Sequence, residues 1–209
     1  MKLNEDFINT GEMTLHVMEG PPSGPPLVLL HGSTGNWASW GRLLPHLVER
    51  WHVYALDLRG HGGSGRAKDI AGYHFSAFAG DILLFLKERV QQPAVLYGHS
   101  WGAVTALLCG GPGKALIRGL ALEDPPVLIR RDAPAMDPFI DYFAWARRMV
   151  LADPHPEAIS RGLQAQNPGL PANALAGWAD ALAHTDPVYL DALLTRSAVA
   201  KGIDFDQAI

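Results

Sequence analysis

Along the first 126 residues, short aliphatic runs alternate with longer stretches whose apolar positions recur every three or four residues. That alternation is the mark of strands and helices taking turns in a mostly parallel sheet. Thr14 to Met18 reads as an early strand. After the turn-rich Gly20 to Pro26, Leu27-Val28-Leu29-Leu30 is apolar without alternation, as expected of a strand covered on both faces. Leu43, Leu44, Leu47 and Val48 follow helical spacing, Val53 to Leu56 makes the next buried strand, and a glycine-rich loop runs from Gly60 to Gly65. Phe78, Ile82, Phe85 and Leu86 place an apolar stripe on a helix that ends near Val90, ahead of Pro93. Ala94 to Tyr97 is a strand, Ala103 to Leu108 a helix, and Leu116 to Leu122 a further strand closed by Asp124-Pro125-Pro126. Beyond Pro126 the strand pattern stops, and prolines at 134, 138, 154, 156, 168, 171 and 187 cut a helix-forming sequence into pieces. The expected fold is α/β, a doubly wound, mostly parallel sheet over residues 1–126 carrying a helical cap or lid over 127–209.

Composition narrows the classes. With 209 residues, 48% hydrophobic and 18% charged, the chain has the length and apolar content of one folded domain. Its net charge is −4 with no basic cluster, which argues against nucleic acid or an anionic membrane as partner. Apolar runs such as Leu27 to Leu30 and Ala103 to Cys109 fall far short of the roughly 20 residues a membrane span needs. Cys109, the single cysteine, reads as a buried packing residue. The start of the chain has no leader pattern, so a reducing cytoplasm is the expected location.

Candidate chemistry centres on Gly98-His99-Ser100-Trp101-Gly102, a G-x-S-x-G segment preceded by a strand and followed by a helix. A serine on such a strained turn has its hydroxyl forced clear of the sheet, and the helix N-terminus behind it favours negative charge. The plainer alternative is a glycine-rich turn whose serine caps the helix. His31-Gly32-Ser33, at the end of a buried strand, supplies a second loop. Acyl transfer needs two backbone donors aimed at a developing oxyanion, and the Ser33 and Trp101 amides are the candidates. His31 reads as a histidine that hydrogen-bonds loop backbone, ordering the loop without transferring protons. Gly60-His61-Gly62-Gly63-Ser64-Gly65 satisfies G-x-G-x-x-G, but no helix opens directly after it, so the match to a dinucleotide fingerprint is accidental.

Taken in order, Pro25 to Gly32, Trp40, Asp57-Leu58-Arg59-Gly60-His61-Gly62-Gly63-Ser64 and Gly98 to Gly102 resemble the α/β-hydrolase fold superfamily, in its branch of small esterases, haloperoxidase-like enzymes and carbon-carbon bond hydrolases. The resemblance runs over residues 12–126. It implies Ser100 as nucleophile, Ser33 and Trp101 as oxyanion donors, and a structural role for the Asp57 to Ser64 segment, with Gly32, Gly98, His99 and Gly102 as support. Family members with aspartate at the elbow are dehalogenases or epoxide hydrolases, and serine here argues against both.

A serine nucleophile needs a base, usually histidine oriented by a carboxylate. The resemblance implies the order serine, acid, histidine, with the last two on strands after the cap; no such strands are legible after residue 127. His16, His46, His52 and His74 read as surface or packing residues, His61 belongs to the glycine loop, His99 points away from the serine on a tight turn, and His155 and His184 sit in the cap. The triad histidine is therefore expected outside this chain. Asp124, rather than Glu123, is the candidate acid; Asp57 reads as a loop anchor and Asp81 as a helix-face residue. Phe139, Tyr142, Phe143, Trp145 and Trp178 have the spacing of lid packing, with an apolar substrate pocket as the alternative. No metal motif is present and the elbow needs no cofactor. The sequence thus points to a serine hydrolase of a small ester-like or acyl substrate, completed by a missing C-terminal segment or a second chain. The alternative is a non-catalytic binding module or inactive short form.

Overall fold

The computed structural model describes residues 2–126 and 137–195. The parts of the expected cap at 127–136 and 196–209 lie outside the described residues. Six strands form one sheet in the order β1 (Asn4–Asn9), β2 (Thr14–Glu19), β4 (His52–Leu56), β3 (Pro26–Leu30), β5 (Ala94–His99), β6 (Ile117–Glu123). β1, β2 and β4 pair antiparallel, while β4, β3, β5 and β6 run parallel.

Every residue of β3 is buried, as its unbroken apolar run requires, and successive side chains go to opposite faces. Leu27 and Leu29, with Val53 and Ala55 of β4, face a cluster built on Trp40, Leu44 and Val48. The chain there forms a 3-10 turn at Trp37–Trp40 and a one-turn helix, α1 (Leu44–Leu47), in place of a full helix. Pro45 in the first turn and the exposed Leu43 leave too narrow an apolar stripe for more.

Val28, Leu30, Tyr54 and Leu56 face the other way, onto α2 (Phe75–Phe85) and α3 (Trp101–Cys109). α2 runs on as a π-helical turn over Leu86–Val90 and stops at Gln91, which takes a left-handed φ of 58°. Cys109 is fully buried against Ala79, and burial pushes its thiol up to about 12, so it packs as an inert apolar group. The helices α4 (Asp137–Ala152), α5 (Pro156–Gln166), α6 (Ala172–Ala183) and α7 (Pro187–Leu194) add their apolar faces to this second cluster, so they share one core with the sheet. Among the described residues β6 pairs only with β5, and Leu120 and Leu122 on it are 37% and 38% exposed. No described helix is long and apolar enough to cross a membrane.

β1 was not expected. Its polar sequence shows little alternation, yet it covers the edge of β2 and brings Glu5 to the buried His16. His16 is not a surface residue: Nδ1 lies 2.7 Å from Asp57 Oδ2 and Nε2 3.0 Å from Glu5 Oε1. The Asp57 hydrogen bond raises the His16 pKa against the opposing effect of burial, helped by both carboxylate charges. Burial would raise Asp57, but bonds from His16, Gly63 N–H and Trp37 N–H, with His31 nearby, hold it below the usual carboxylate range.

The raised His16 contributes stability below its unfolded pKa that is lost as pH climbs through its higher folded value. The lowered Asp57 contributes stability above its unfolded pKa that is lost as pH falls through its lower folded value. The pair is therefore fully effective only between about pH 4 and about pH 6.5, the unfolded pKa values of the two groups. Urea midpoints measured from pH 5 to 9 are expected to fall across the alkaline flank in the native chain and to lose that component in His16→Gln; parallel profiles would contradict the assignment.

Candidate functional site

β5 delivers the chain to Ser100 at φ 50°, ψ −114°, a conformation outside helix and strand that a non-glycine residue adopts only under constraint. The constraint is visible on all sides. The Ser100 amide donates to the Glu123 carbonyl at the end of β6 (2.8 Å), and its carbonyl accepts from Ala103 and Val104 in the first turn of α3. Gly98 and Gly102 let the strand, turn and helix close up: a Cβ on Gly98 would lie 2.3 Å from the Gly102 carbonyl oxygen, and one on Gly102 would lie 2.1 Å from that of Leu30. The start of α3 is thereby pressed against the end of β3.

Directly after β3 comes the His31–Gly35 loop. A Cβ on Gly32 would fall 3.2 Å from Ser100 Cβ and 2.8 Å from His99 Nδ1, so loop and elbow are in contact. Buried histidines lace this loop down. His31 donates from Nδ1 to the Gly32 carbonyl (2.8 Å) and accepts the Leu58 N–H at Nε2 (3.0 Å). His61 donates from Nδ1 to the Arg59 carbonyl (3.0 Å) and accepts the Thr34 N–H at Nε2 (3.3 Å). Each has one nitrogen donating and one accepting, which requires the neutral ring. Burial lowers both, His61 to about 3. Both rings are taken up by loop backbone.

Among the described residues, neither the Ser33 nor the Trp101 N–H has a hydrogen-bond partner. Two amides without a partner among the described residues thus belong to segments that meet beside Ser100. Trp101 itself is buried, stacked on Phe75 with centroids 3.9 Å apart, and its indole N–H is likewise unpartnered. His99 is exposed beside Gly32.

Other candidates are placed elsewhere. Asp124 is exposed at φ 48°, past the end of β6, and no histidine bonds its carboxylate. Its neighbour Glu123 takes the Tyr97 hydroxyl (2.9 Å). Asp81 is on α2 as expected, on its buried face, forked onto Arg59 at 2.7 Å by both oxygens. Asp57 is the loop anchor that was expected. All nine histidines lie among the described residues, and none bonds the Ser100 hydroxyl. His155 and His184 are both exposed, the latter turned back onto the Asp180 carbonyl. Among the described residues no group of three or more His, Cys, Asp or Glu side chains could hold a metal ion.

The sequence over residues 25–173 matches the family model of the alpha/beta hydrolase fold, a span that holds the loop, the Ser100 turn and helices α4 and α5. The chain belongs to that family. Epoxide hydrolase A of Mycobacterium tuberculosis is 33% identical over 141 residues, 66% of this chain and 44% of that protein. The 2-(acetamidomethylene)succinate hydrolase of Mesorhizobium japonicum is 28% identical over 169 residues, 80% of this chain and 58% of that one. A solved structure of E-2-(acetamidomethylene)succinate hydrolase superposes with a TM-score of 0.73 at 23% identity, covering 99% of this chain and 76% of that one. These similar proteins are hydrolases by name, and this chain spans about half the length of the curated relatives it matches.

Of two tyrosines that touch this loop, Tyr142 was expected only as packing or pocket lining and Tyr189 was not expected at all. The Tyr189 hydroxyl lies 2.8 Å from Ser33 Oγ, and the Tyr142 hydroxyl lies 2.9 Å from Thr34 Oγ1 while accepting the Trp178 indole N–H at 2.9 Å. Tyr142, Phe143, Trp145 and Trp178 pack into the cap as their spacing implied, whereas Phe139 is 51% exposed. Nothing in the sequence signals that two tyrosines of α4 and α7 reach the His31–Gly35 loop.

Proposed function

We propose that the chain is the nucleophile-bearing part of a serine hydrolase acting on a small ester-like or acyl substrate. The observation that carries this reading is the strained Ser100 turn with two unpartnered amides, Ser33 and Trp101, on the segments that meet there. Ser100 Oγ attacks the carbonyl carbon and its proton passes to a base. The carbonyl electron pair moves onto oxygen, where the two amides and the positive end of α3 hold it. The tetrahedral intermediate collapses, the leaving group departs with the proton, and water then cleaves the acyl-enzyme by the same route. Serine in place of aspartate favours this addition chemistry, because a neutral hydroxyl adds to a carbonyl once deprotonated, while displacement at an epoxide or carbon-halogen bond suits a carboxylate.

The base is a histidine outside these 209 residues, supplied by a further segment or a second chain, and the acid accompanies it there or is Asp124. No cofactor takes part. That no histidine of this chain reaches Ser100 also supports a second reading, a binding module of this fold without turnover. The two separate on hydrolysis of a short-chain nitrophenyl ester by the folded chain. As a hydrolase lacking its base, the chain is expected to run close to the uncatalysed rate alone, to accelerate on addition of imidazole, and to lose that acceleration in Ser100→Ala. Imidazole dependence that is equal in both proteins would exclude the serine reading.

A further inference from the structure

We infer that Tyr189 of the cap is a positioning residue that holds the oxyanion loop in place, so that the cap takes part in building the site as well as covering it. This rests on the reading of Ser33 and Trp101 as oxyanion donors. Tyr189 touches both. Its hydroxyl meets Ser33 Oγ at 2.8 Å and its ring packs edge-on to the Trp101 indole at 5.7 Å, with the His61 ring 4.5 Å away on another side. His61 in turn accepts the Thr34 amide, so one fully buried tyrosine contacts three of the groups that define the loop.

The loop needs such support. Thr34 sits at φ 60°, a left-handed conformation unfavourable for a β-branched residue, and its amide is held by a 3.3 Å bond to His61 beside the 3.1 Å Gly35 N–H to Gly32 carbonyl bond. Tyr189 is fixed independently of the loop it grips. At the start of α7, Asp186 caps the helix through the Val188 amide (2.9 Å), donates its own amide to the Gly60 carbonyl (2.8 Å) and accepts the buried Tyr73 hydroxyl (2.5 Å). Three residues on, Tyr189 therefore stands on a helix pinned to the core. Tyr142, from α4, adds a parallel bond to Thr34, and Arg147 of α4 forks onto Asp191 of α7, tying the two supporting helices together.

Burial pushes the pKa of the hydroxyl far above the ordinary tyrosine value, with the Ser33 bond opposing only in part, so the group stays protonated. Its contribution is geometric, the direction in which the Ser33 amide points when charge develops.

The test compares native chain, Tyr189→Phe, Ser33→Ala and the double variant, each checked for its thermal midpoint. Two readouts are taken: hydrogen exchange at the Thr34 and Gly35 amides, and the rate at which an activated alkyl fluorophosphonate labels Ser100. Removing the hydroxyl is expected to speed exchange at both amides and to slow labelling by about three- to ten-fold, the size of one hydrogen bond. Ser33→Ala is expected to do the same, and the double variant no more than either single. Unchanged exchange at Thr34 and Gly35 overturns the positioning role. So does a lowered thermal midpoint with unaltered labelling, which would make Tyr189 a packing residue. Failure of Ser100 to be labelled in the native chain even with imidazole supplied as the base overturns the nucleophile reading itself and removes any catalytic role for Tyr189, even if exchange at the loop still rises.

Discussion

Asp81→Ala is expected to lower stability by about 3–5 kcal/mol, because it leaves the Arg59 guanidinium buried without its counter-charge. Both residues are nearly inaccessible to water. Arg59 Nε and one terminal nitrogen bond the two Asp81 oxygens at 2.7 Å, the other terminal nitrogen donates to the Gly72 carbonyl at 2.6 Å, and the guanidinium lies over the Phe78 ring. Burial raises the Asp81 pKa and Arg59 works against it, so the carboxylate depends on this one partner. A loss of that size takes a large part of the about 5–15 kcal/mol typical of a domain, and the variant should be partly unfolded at 37 °C. Urea unfolding followed by circular dichroism measures it. Replacing both residues by apolar ones of similar volume, as Arg59→Met with Asp81→Leu, should be far milder, since no charge is then stranded. A loss below about 1 kcal/mol for Asp81→Ala, the range of a solvent-screened pair, would contradict the burial assigned to it.

Gly102→Ala carries the second large effect, and it falls on the site as well as the fold. The added methyl would sit 2.1 Å from the Leu30 carbonyl oxygen and 2.6 Å from that of His31, both backbone atoms that no rotamer change can move. α3 must therefore lift away from β3, which costs about 1–3 kcal/mol as overpacking does. The same shift parts the Trp101 amide from the Ser33 loop, and a displacement near 1 Å is expected to slow phosphonate labelling of Ser100 by about a hundred-fold. Gly80→Ala, in α2 with nothing within 4 Å of the new methyl, is the matching control. It should stabilise by about 0.5–1 kcal/mol through helix propensity alone and leave labelling unchanged. Equal labelling rates in both variants would show that the close approach of α3 and β3 does not matter to the site.

Much of this arrangement was legible in the sequence because it depends on local signals. Apolar runs mark Leu27–Leu30, Val53–Leu56 and Ala94–Tyr97 as strands, the first two buried throughout, and the glycines around Ser100 mark a turn too tight for side chains. Those two signals locate the elbow. β1 was illegible because it is an edge strand held by backbone pairing to β2, which leaves its polar sequence free. The partners of His16 and Asp81 were hidden for a different reason. Each lies far off in sequence, Asp57 at a separation of 41 residues and Arg59 at 22, and no pattern within a window reports such a pairing. The bonds from Tyr189 and Tyr142 to the loop span 156 and 108 residues and were hidden likewise: in a helix, a tyrosine that packs and a tyrosine that reaches a distant hydroxyl have the same spacing.

The most direct measurement is mass-spectrometric mapping of the adduct formed by an alkyl fluorophosphonate on the folded native chain, with and without added imidazole, beside Ser100→Ala. A single adduct on Ser100, formed faster with imidazole and absent from Ser100→Ala, is the expected result, since the turn and the two free amides are present and only the base is supplied from outside. No adduct on Ser100 in either condition, from a chain shown to be folded, would contradict the assignment of a serine nucleophile and leave a binding module of this fold.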